Sequence, residues 1–119
     1  MEQQNLKTLN TLLDMLAKGQ FLEGMELYFA DDVVIQEVGQ TPKRGKAVCI
    51  EAEEELLKGV AEFIQYTALS VGAGGEQTFY EAVMEFKTTA GEHVVQRQAV
   101  VTTWKDGKIT DEKYYHANV

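Results

Sequence analysis

The sequence predicts an α+β fold, with helices packed on one face of a mainly antiparallel sheet. Apolar residues recur at helical spacing through the first half of the chain, interrupted by one β-branched run, Val33-Val34-Ile35. From Phe63 onward the texture turns β-branched and aromatic, cut by short breaks. One of those breaks, Asp106-Gly107, is a two-residue hairpin signal, because both central positions of such a turn need positive φ.

Each element follows from its pattern. Leu6, Leu9, Leu12, Leu13 and Leu16 form one helical stripe, with Lys7, Asn10, Asp14 and Lys18 opposite. Asn5 is expected to cap this helix and Gly19 to stop it. A second, short helix is expected from Phe21 to Phe29, carrying Leu22, Met25 and Tyr28. The strand opened by Val33 ends before Gly39 and Pro42, the only proline. A third helix is expected between Gly45 and Gly59. Its apolar side holds Val48, Cys49, Ala52, Leu56 and Leu57, and its wet side Glu51, Glu53, Glu54, Glu55 and Lys58. Four strands follow: FIQYTALSV, TFYEAVMEF, HVVQRQAVVTTW and ITDEKYYHA. The breaks between them, at Gly74-Gly75, Ala90-Gly91 and Asp106-Gly107, are short enough to force antiparallel neighbours.

A chain of 119 residues is expected to form one domain over residues 1–119, and its 45% hydrophobic content supplies a core. Nineteen acidic against 11 basic residues give a net charge of -8. That argues against nucleic acid and membrane surfaces as partners, since both are held through Lys and Arg. Cys49 is single, so no intrachain disulfide forms and nothing points to an oxidising compartment. The polar start MEQQNLKTLN lacks the layout of a signal peptide, and no apolar run nears the roughly 20 residues of a membrane span. The expected location is the cytoplasm. Two histidines and one cysteine give no metal-ligand spacing, and no cofactor is expected. GAGGEQ, residues 72–77, precedes no helix and is no phosphate loop, and no Gly-x-Ser-x-Gly elbow occurs.

Three stretches carry a resemblance to a known superfamily: LYFADDVVIQEVGQTPKRGKA (residues 27–47), WKDGKI (104–109) and ITDEKYYH (109–116). With the order of elements, they resemble the nuclear transport factor 2-like superfamily, in particular its SnoaL-like and ketosteroid-isomerase-like branches. The resemblance implies a cystatin-like cone, in which a sharply curved sheet wraps around three helices. Its open end is then a pocket for a small apolar molecule, and its sheet face forms a homodimer. The superfamily includes isomerases, cyclases, hydratases, epoxide hydrolases, transport proteins and association modules, so the fold leaves the function open.

In ketosteroid isomerases the stretch similar to ADDVVIQEVGQ carries the general base, and counting from Ala30-Asp31-Asp32 places it on Glu37. With Glu37 facing the cone, Val33 and Ile35 face it too, since strand side chains alternate. A partly desolvated carboxylate becomes a better base near neutral pH. The alternative is a carboxylate at the rim, paired with Lys43 or Arg44, and a register shifted by one would bring Gln36 inward instead. The isomerases' oxyanion hole, a first-helix tyrosine and a fourth-strand aspartic acid, has no counterpart, because the matching positions hold Leu12 or Leu13 and Val100. Losing one such donor costs about 100- to 1000-fold in rate, which speaks against steroid isomerisation by that mechanism.

The strand from His93 to Trp104 puts Val94, Gln96, Gln98, Val100, Thr102 and Trp104 on one side. The family pattern favours that side as cone interior, with Gln98 orienting a ligand carbonyl or hydroxyl. The bland alternative is a glutamine on a dimer-forming sheet face. Arg97, on the other side, reads as a surface or interface residue. On the last strand Thr110, Glu112, Tyr114 and His116 share a face. By the same resemblance Tyr114 and His116 line the mouth as acid or orienter beside Glu37, or else cap the core. The expected catalytic set is therefore Glu37, His116 and Tyr114, and the expected ligand-binding set Val33, Ile35, Gln98, Val100 and Trp104. Three readings stand. The first is a small cyclase or isomerase acting by proton transfer on an apolar carbonyl compound, and the second a non-catalytic binding or association module. The third is a structural dimer whose cone is filled by its own Tyr66, Met84, Phe86 and Trp104.

Overall fold

The computed structural model describes residues 1–118, with side chains as far as His116; Val119, the last residue of the expected domain, lies outside the described residues. The elements run α1 (Glu2–Ala17), α2 (Phe21–Tyr28), β1 (Phe29–Glu37), β2 (Lys43–Arg44), α3 (Lys46–Lys58), β3 (Val60–Gly74), β4 (Gln77–Thr88), β5 (His93–Lys105) and β6 (Lys108–Asn118). The strands form one sheet in the order β2-β1-β6-β5-β4-β3. Strands β3 to β6 are an antiparallel meander, β1 joins β6 in parallel, and β2 pairs antiparallel with β1.

Local chemistry explains the turns. Asp106 and Gly107 both take positive φ, 52° and 79°, as the tight β5–β6 hairpin requires. α1 stops at Gly19, whose φ of 78° lets its N–H reach the Leu16 carbonyl and the Gln20 N–H reach that of Met15, each at 3.0 Å. Those two bonds satisfy carbonyls that the helix end would otherwise leave unpaired.

The β3–β4 ladder slips between Val60 and Glu62, between Phe63 and Gln65, and between Ala68 and Ser70. Each irregularity bends the strand and increases its twist. The curved inner face closes over α1, so that Leu9, Leu12 and Leu13 are buried in one cluster with Phe29, Val33, Tyr66, Trp104 and Ile109. Phe21 of α2 meets Phe63 and Tyr66 edge-on, with ring centroids 5.5 and 5.8 Å apart. This is the wrapped α+β architecture that the sequence predicts.

Four details differ from expectation. Asn5 does not cap α1; the helix starts at Glu2, and Asn5 sits buried within it, its N–H bonded to the Met1 carbonyl at 2.9 Å. It lies one turn before Leu9 on the core-facing stripe, so burial decides its place. Strand β3 begins at Val60, ahead of Phe63, and Lys43-Arg44 form a short edge strand with no sequence signal of its own. α3 is rotated from the expected orientation: Val48 and Leu56 are exposed, while Glu53 turns inward one turn after buried Cys49. Among the described residues no helix is long and apolar enough to cross a membrane.

Candidate functional site

Residues paired across a sheet share a face, and the register collects a polar group on the inner one. Ile35 pairs with Glu112, and Glu37 with Tyr114. Across the next ladder Glu112 pairs with Thr102, Tyr114 with Val100 and His116 with Gln98. One strand further, Val100 pairs with Tyr80 and Gln98 with Ala82. Glu37, Glu112, Tyr114, His116, Gln98 and Tyr80 thus surround a floor of buried Val100 and Ala82.

The mouth of this group is held by charge. The Glu37 side chain is 29% exposed; its Oε1 lies 3.5 Å from His116 Nε2 and its Oε2 3.9 Å from Lys43 Nζ. The Gln96 amide lies 3.2 Å from His116 Nδ1. With that amide donating, Nδ1 accepts and the ring proton sits on Nε2, facing Glu37. Above them, Glu53 of α3 has its carboxyl raised by burial first and by the charge of Glu37 second, with Lys43 opposing.

The interior is held by neutral donors. Glu112 is 3% exposed. Tyr114 Oη donates to its Oε1 at 2.6 Å, and Thr102 Oγ1 to its Oε2 at 3.1 Å. Burial pushes this carboxyl up to about 7, against the pull of those two hydrogen bonds, and the charges of Asp111 and Glu53 add to the rise. Beside it, Gln98 Nε2 donates to Tyr66 Oη at 2.6 Å, and the Tyr66 and Tyr80 hydroxyls lie 3.2 Å apart. Burial pushes the Tyr66 phenol up to about 12 and those of Tyr80 and Tyr114 well above the usual tyrosine value.

The structure brings Glu37, His116 and Tyr114 together, with Gln98 and Val100 behind them on the same face. Gln36 is exposed. Ile35 is half-buried against the core, while Val33 and Trp104 are enclosed in it. The Trp104 indole N–H is taken by Thr78 Oγ1 at 2.9 Å. Much of the cone is filled by Tyr66, Tyr80, Gln98 and Trp104, all buried. Met84 and Phe86 are half-buried. One surface depression of about 430 Å³ runs along Leu6, Asn10 and Asp14 of α1, away from this group, and another of about 400 Å³ lies on the sheet at Val71, Phe79, Tyr80, Val100 and Val101. Sequence reasoning did not single out Glu112, Glu53 or Tyr80 for the site. The alternation of β6 did place Glu112 on the Tyr114 face, but its burial depends on Thr102 and Ile35 from other strands.

No protein-family model and no curated protein matches the sequence. Solved structures match over nearly the whole chain. One is a provisionally named SnoaL-like polyketide cyclase from Mesorhizobium loti, 22% identical, covering 92% of this chain and 96% of that one with a TM-score of 0.78. Another is an LEH-like epoxide hydrolase of M. tuberculosis, 19% identical, covering 98% and 84% with a TM-score of 0.80. A third is an NTF2-like protein of unknown function from Burkholderia pseudomallei, 14% identical, covering 96% and 91% with a TM-score of 0.83. At these identities the likeness is one of fold, and the fold of this chain is that of the nuclear transport factor 2-like superfamily.

Proposed function

We propose that this chain binds a small apolar carbonyl compound at the open end of its cone and moves a proton on it, in the manner of a cyclase or isomerase. Glu112 is the observation that carries this reading. It is a buried carboxyl on the inner face of the sheet, bonded to Tyr114 and Thr102 and titrating near neutrality. A core that only holds a fold has little need of such a group, because burying it is costly and an apolar residue of similar volume packs as well. Two carboxyls in unlike surroundings, Glu37 and Glu112, are the arrangement that general acid–base chemistry requires.

In this chemistry Glu37 takes a proton from the carbon beside the carbonyl, and the electron pair moves onto the carbonyl oxygen to give an enolate. A proton returns at another carbon from the Tyr114 hydroxyl, which Glu112 refills; Glu37 then releases the first proton through His116 to solvent, and solvent returns one to Glu112. Substrate and product then differ only in the positions of a proton and a double bond, so no oxidant is needed. Gln98, Ile35 and Val100 orient the ligand. The Mesorhizobium loti protein carries two provisional names, polyketide cyclase and carbohydrate phosphatase, and this chemistry matches the first. The outer sheet face, with Phe79 40% and Tyr115 48% exposed, is read as the surface through which two copies pair.

A thermal-shift screen over aryl ketones and polyketide fragments tests the reading. Ligand at about 100 times its dissociation constant adds roughly 2.7 kcal/mol to stability. A screen without any shift favours the filled cone. A ligand bound equally well by Glu37→Gln, with no proton exchange in either protein, favours the binding module.

A further inference from the structure

We propose that Tyr66 and Tyr80, oriented by Gln98, form a neutral hydrogen-bond donor for the carbonyl oxygen of the bound compound, a role that rests on the reading just given. Gln98 Nε2 donates to Tyr66 Oη at 2.6 Å, and the two phenol oxygens meet at 3.2 Å. The pair owns two hydroxyl hydrogens, and the contact between them uses one. Whichever tyrosine donates, the other hydrogen has no acceptor among the described residues. Both side chains are 5% exposed, so bulk water is largely kept from that hydrogen. A buried donor left without an acceptor is unfavourable, and a ligand oxygen relieves it.

Three further features suit the role. Burial holds both phenols in the neutral form at ordinary pH, so each keeps a hydrogen to donate. The bond from Gln98 polarises Tyr66, which strengthens the next donor in the chain. Tyr80 also lies across Val100 from Tyr114, and Tyr114 is bonded to Glu112. Two strand spacings, about 10 Å between backbones, separate the donor from the acid over a small apolar floor. The carbonyl of the bound compound then meets the tyrosine pair, and its reactive carbon lies toward Glu37. The donor that Leu12, Leu13 and Val100 do not supply then comes from β3 and β4.

Acetophenone and ethylbenzene test this on the full chain, since they share a ring and differ in the carbonyl. Binding is measured by calorimetry, and the carbonyl stretch of bound acetophenone by infrared difference spectroscopy. The donor role predicts that acetophenone binds about tenfold more tightly than ethylbenzene, the worth of one good hydrogen bond. Its stretch should fall below the value in hexane. The double variant Tyr66→Phe/Tyr80→Phe should lose both the preference and the shift while still binding ethylbenzene, and each single variant should keep part of them. Equal binding of the two probes, with the stretch as in hexane, overturns the donor role and leaves the binding reading standing. Binding of neither probe overturns both. If the double variant fails to fold, the wild-type stretch decides: a lowered frequency supports the donor, and an unshifted one overturns it.

Discussion

Strands β1 and β6 run side by side, and each carries a glutamate on the inner face of the sheet, Glu37 beside Tyr114 and Glu112 beside Ile35. Their surroundings differ sharply. Glu37 stands at the end of its strand, partly in water, with Lys43 and His116 as charged or chargeable neighbours. Glu112 lies mid-strand under the helices, and among the described residues its hydrogen bonds come only from the neutral hydroxyls of Thr102 and Tyr114. One carboxyl thus stands among charged groups at the mouth, and the other is pushed by burial toward holding its proton. Position along the cone, more than residue type, sets the chemistry. An acid and a base can be made from the same amino acid two residues apart in register.

Glu37→Gln should have the largest effect. The amide keeps the shape and cannot accept the substrate proton, so proton exchange on a bound ketone should fall by roughly 100- to 10,000-fold. The ion pairs lost are partly exposed, and stability should change by less than about 1 kcal/mol. Deuterium exchange into the ketone, followed by NMR, checks the first and urea unfolding the second. An unchanged exchange rate would remove Glu37 from the base role.

Glu112→Gln should do the reverse, acting first on stability. Below its ordinary value of 4.5 the wild-type carboxyl is protonated in folded and unfolded chains alike. Between 4.5 and about 7 the unfolded chain releases the proton while the folded chain keeps it, so stability falls as pH rises. Above about 7 both states are ionised and the loss is complete, amounting to about 3 kcal/mol. The variant has no proton to lose there. The wild-type stability, taken relative to the variant by urea titration, should therefore decline across that window. A flat difference would show that Glu112 is not held neutral.

How much of this was legible in the sequence depends on how local each signal is. The leucine stripe of α1 and the Asp106-Gly107 turn were readable because neighbours a few residues away determine them. The face carrying Glu37, Tyr114 and His116 followed from strand alternation combined with family resemblance. Glu112 was not readable as an acid, because Asp111 and Lys113 on either side make it look like one more residue of a wet strand. Its burial comes from Thr102 and Ile35, which only the sheet pairing brings to it. Glu53 hid in the same way inside EAEEE, where composition says water and its place one turn after Cys49 says interior. The Tyr66–Gln98–Tyr80 group joins three strands, and no spacing in the chain encodes it.

Tyr114→Phe should have a smaller effect. It removes one of the two donors that hold the Glu112 carboxyl down, so that group should titrate above about 7. The range over which stability falls should then extend to higher pH, with a direct cost of about 1 kcal/mol for the lost bond. An unmoved upper edge would mean that Thr102 alone sets the titration.

The smallest effect is expected from the chain's other histidine, which serves as a contrast to His116. His93 Nε2 lies 2.6 Å from Glu85 Oε2, a shorter contact than His116 makes with Glu37. Yet His93 is exposed, and the pair sits on the outer face, where solvent screens it. The Glu85 carboxyl is held low chiefly by the amide of Gln65, at 2.8 Å, and only secondly by His93. His93→Ala should therefore leave Glu85 below its ordinary range and leave both melting temperature and proton exchange near wild type. His116→Ala, despite losing the longer contact, should slow exchange, because that contact is made to the residue assigned as the base. If the two variants lose activity equally, proximity to Glu37 is not what makes a histidine matter here, and the assignment of the mouth as the reactive end fails with it.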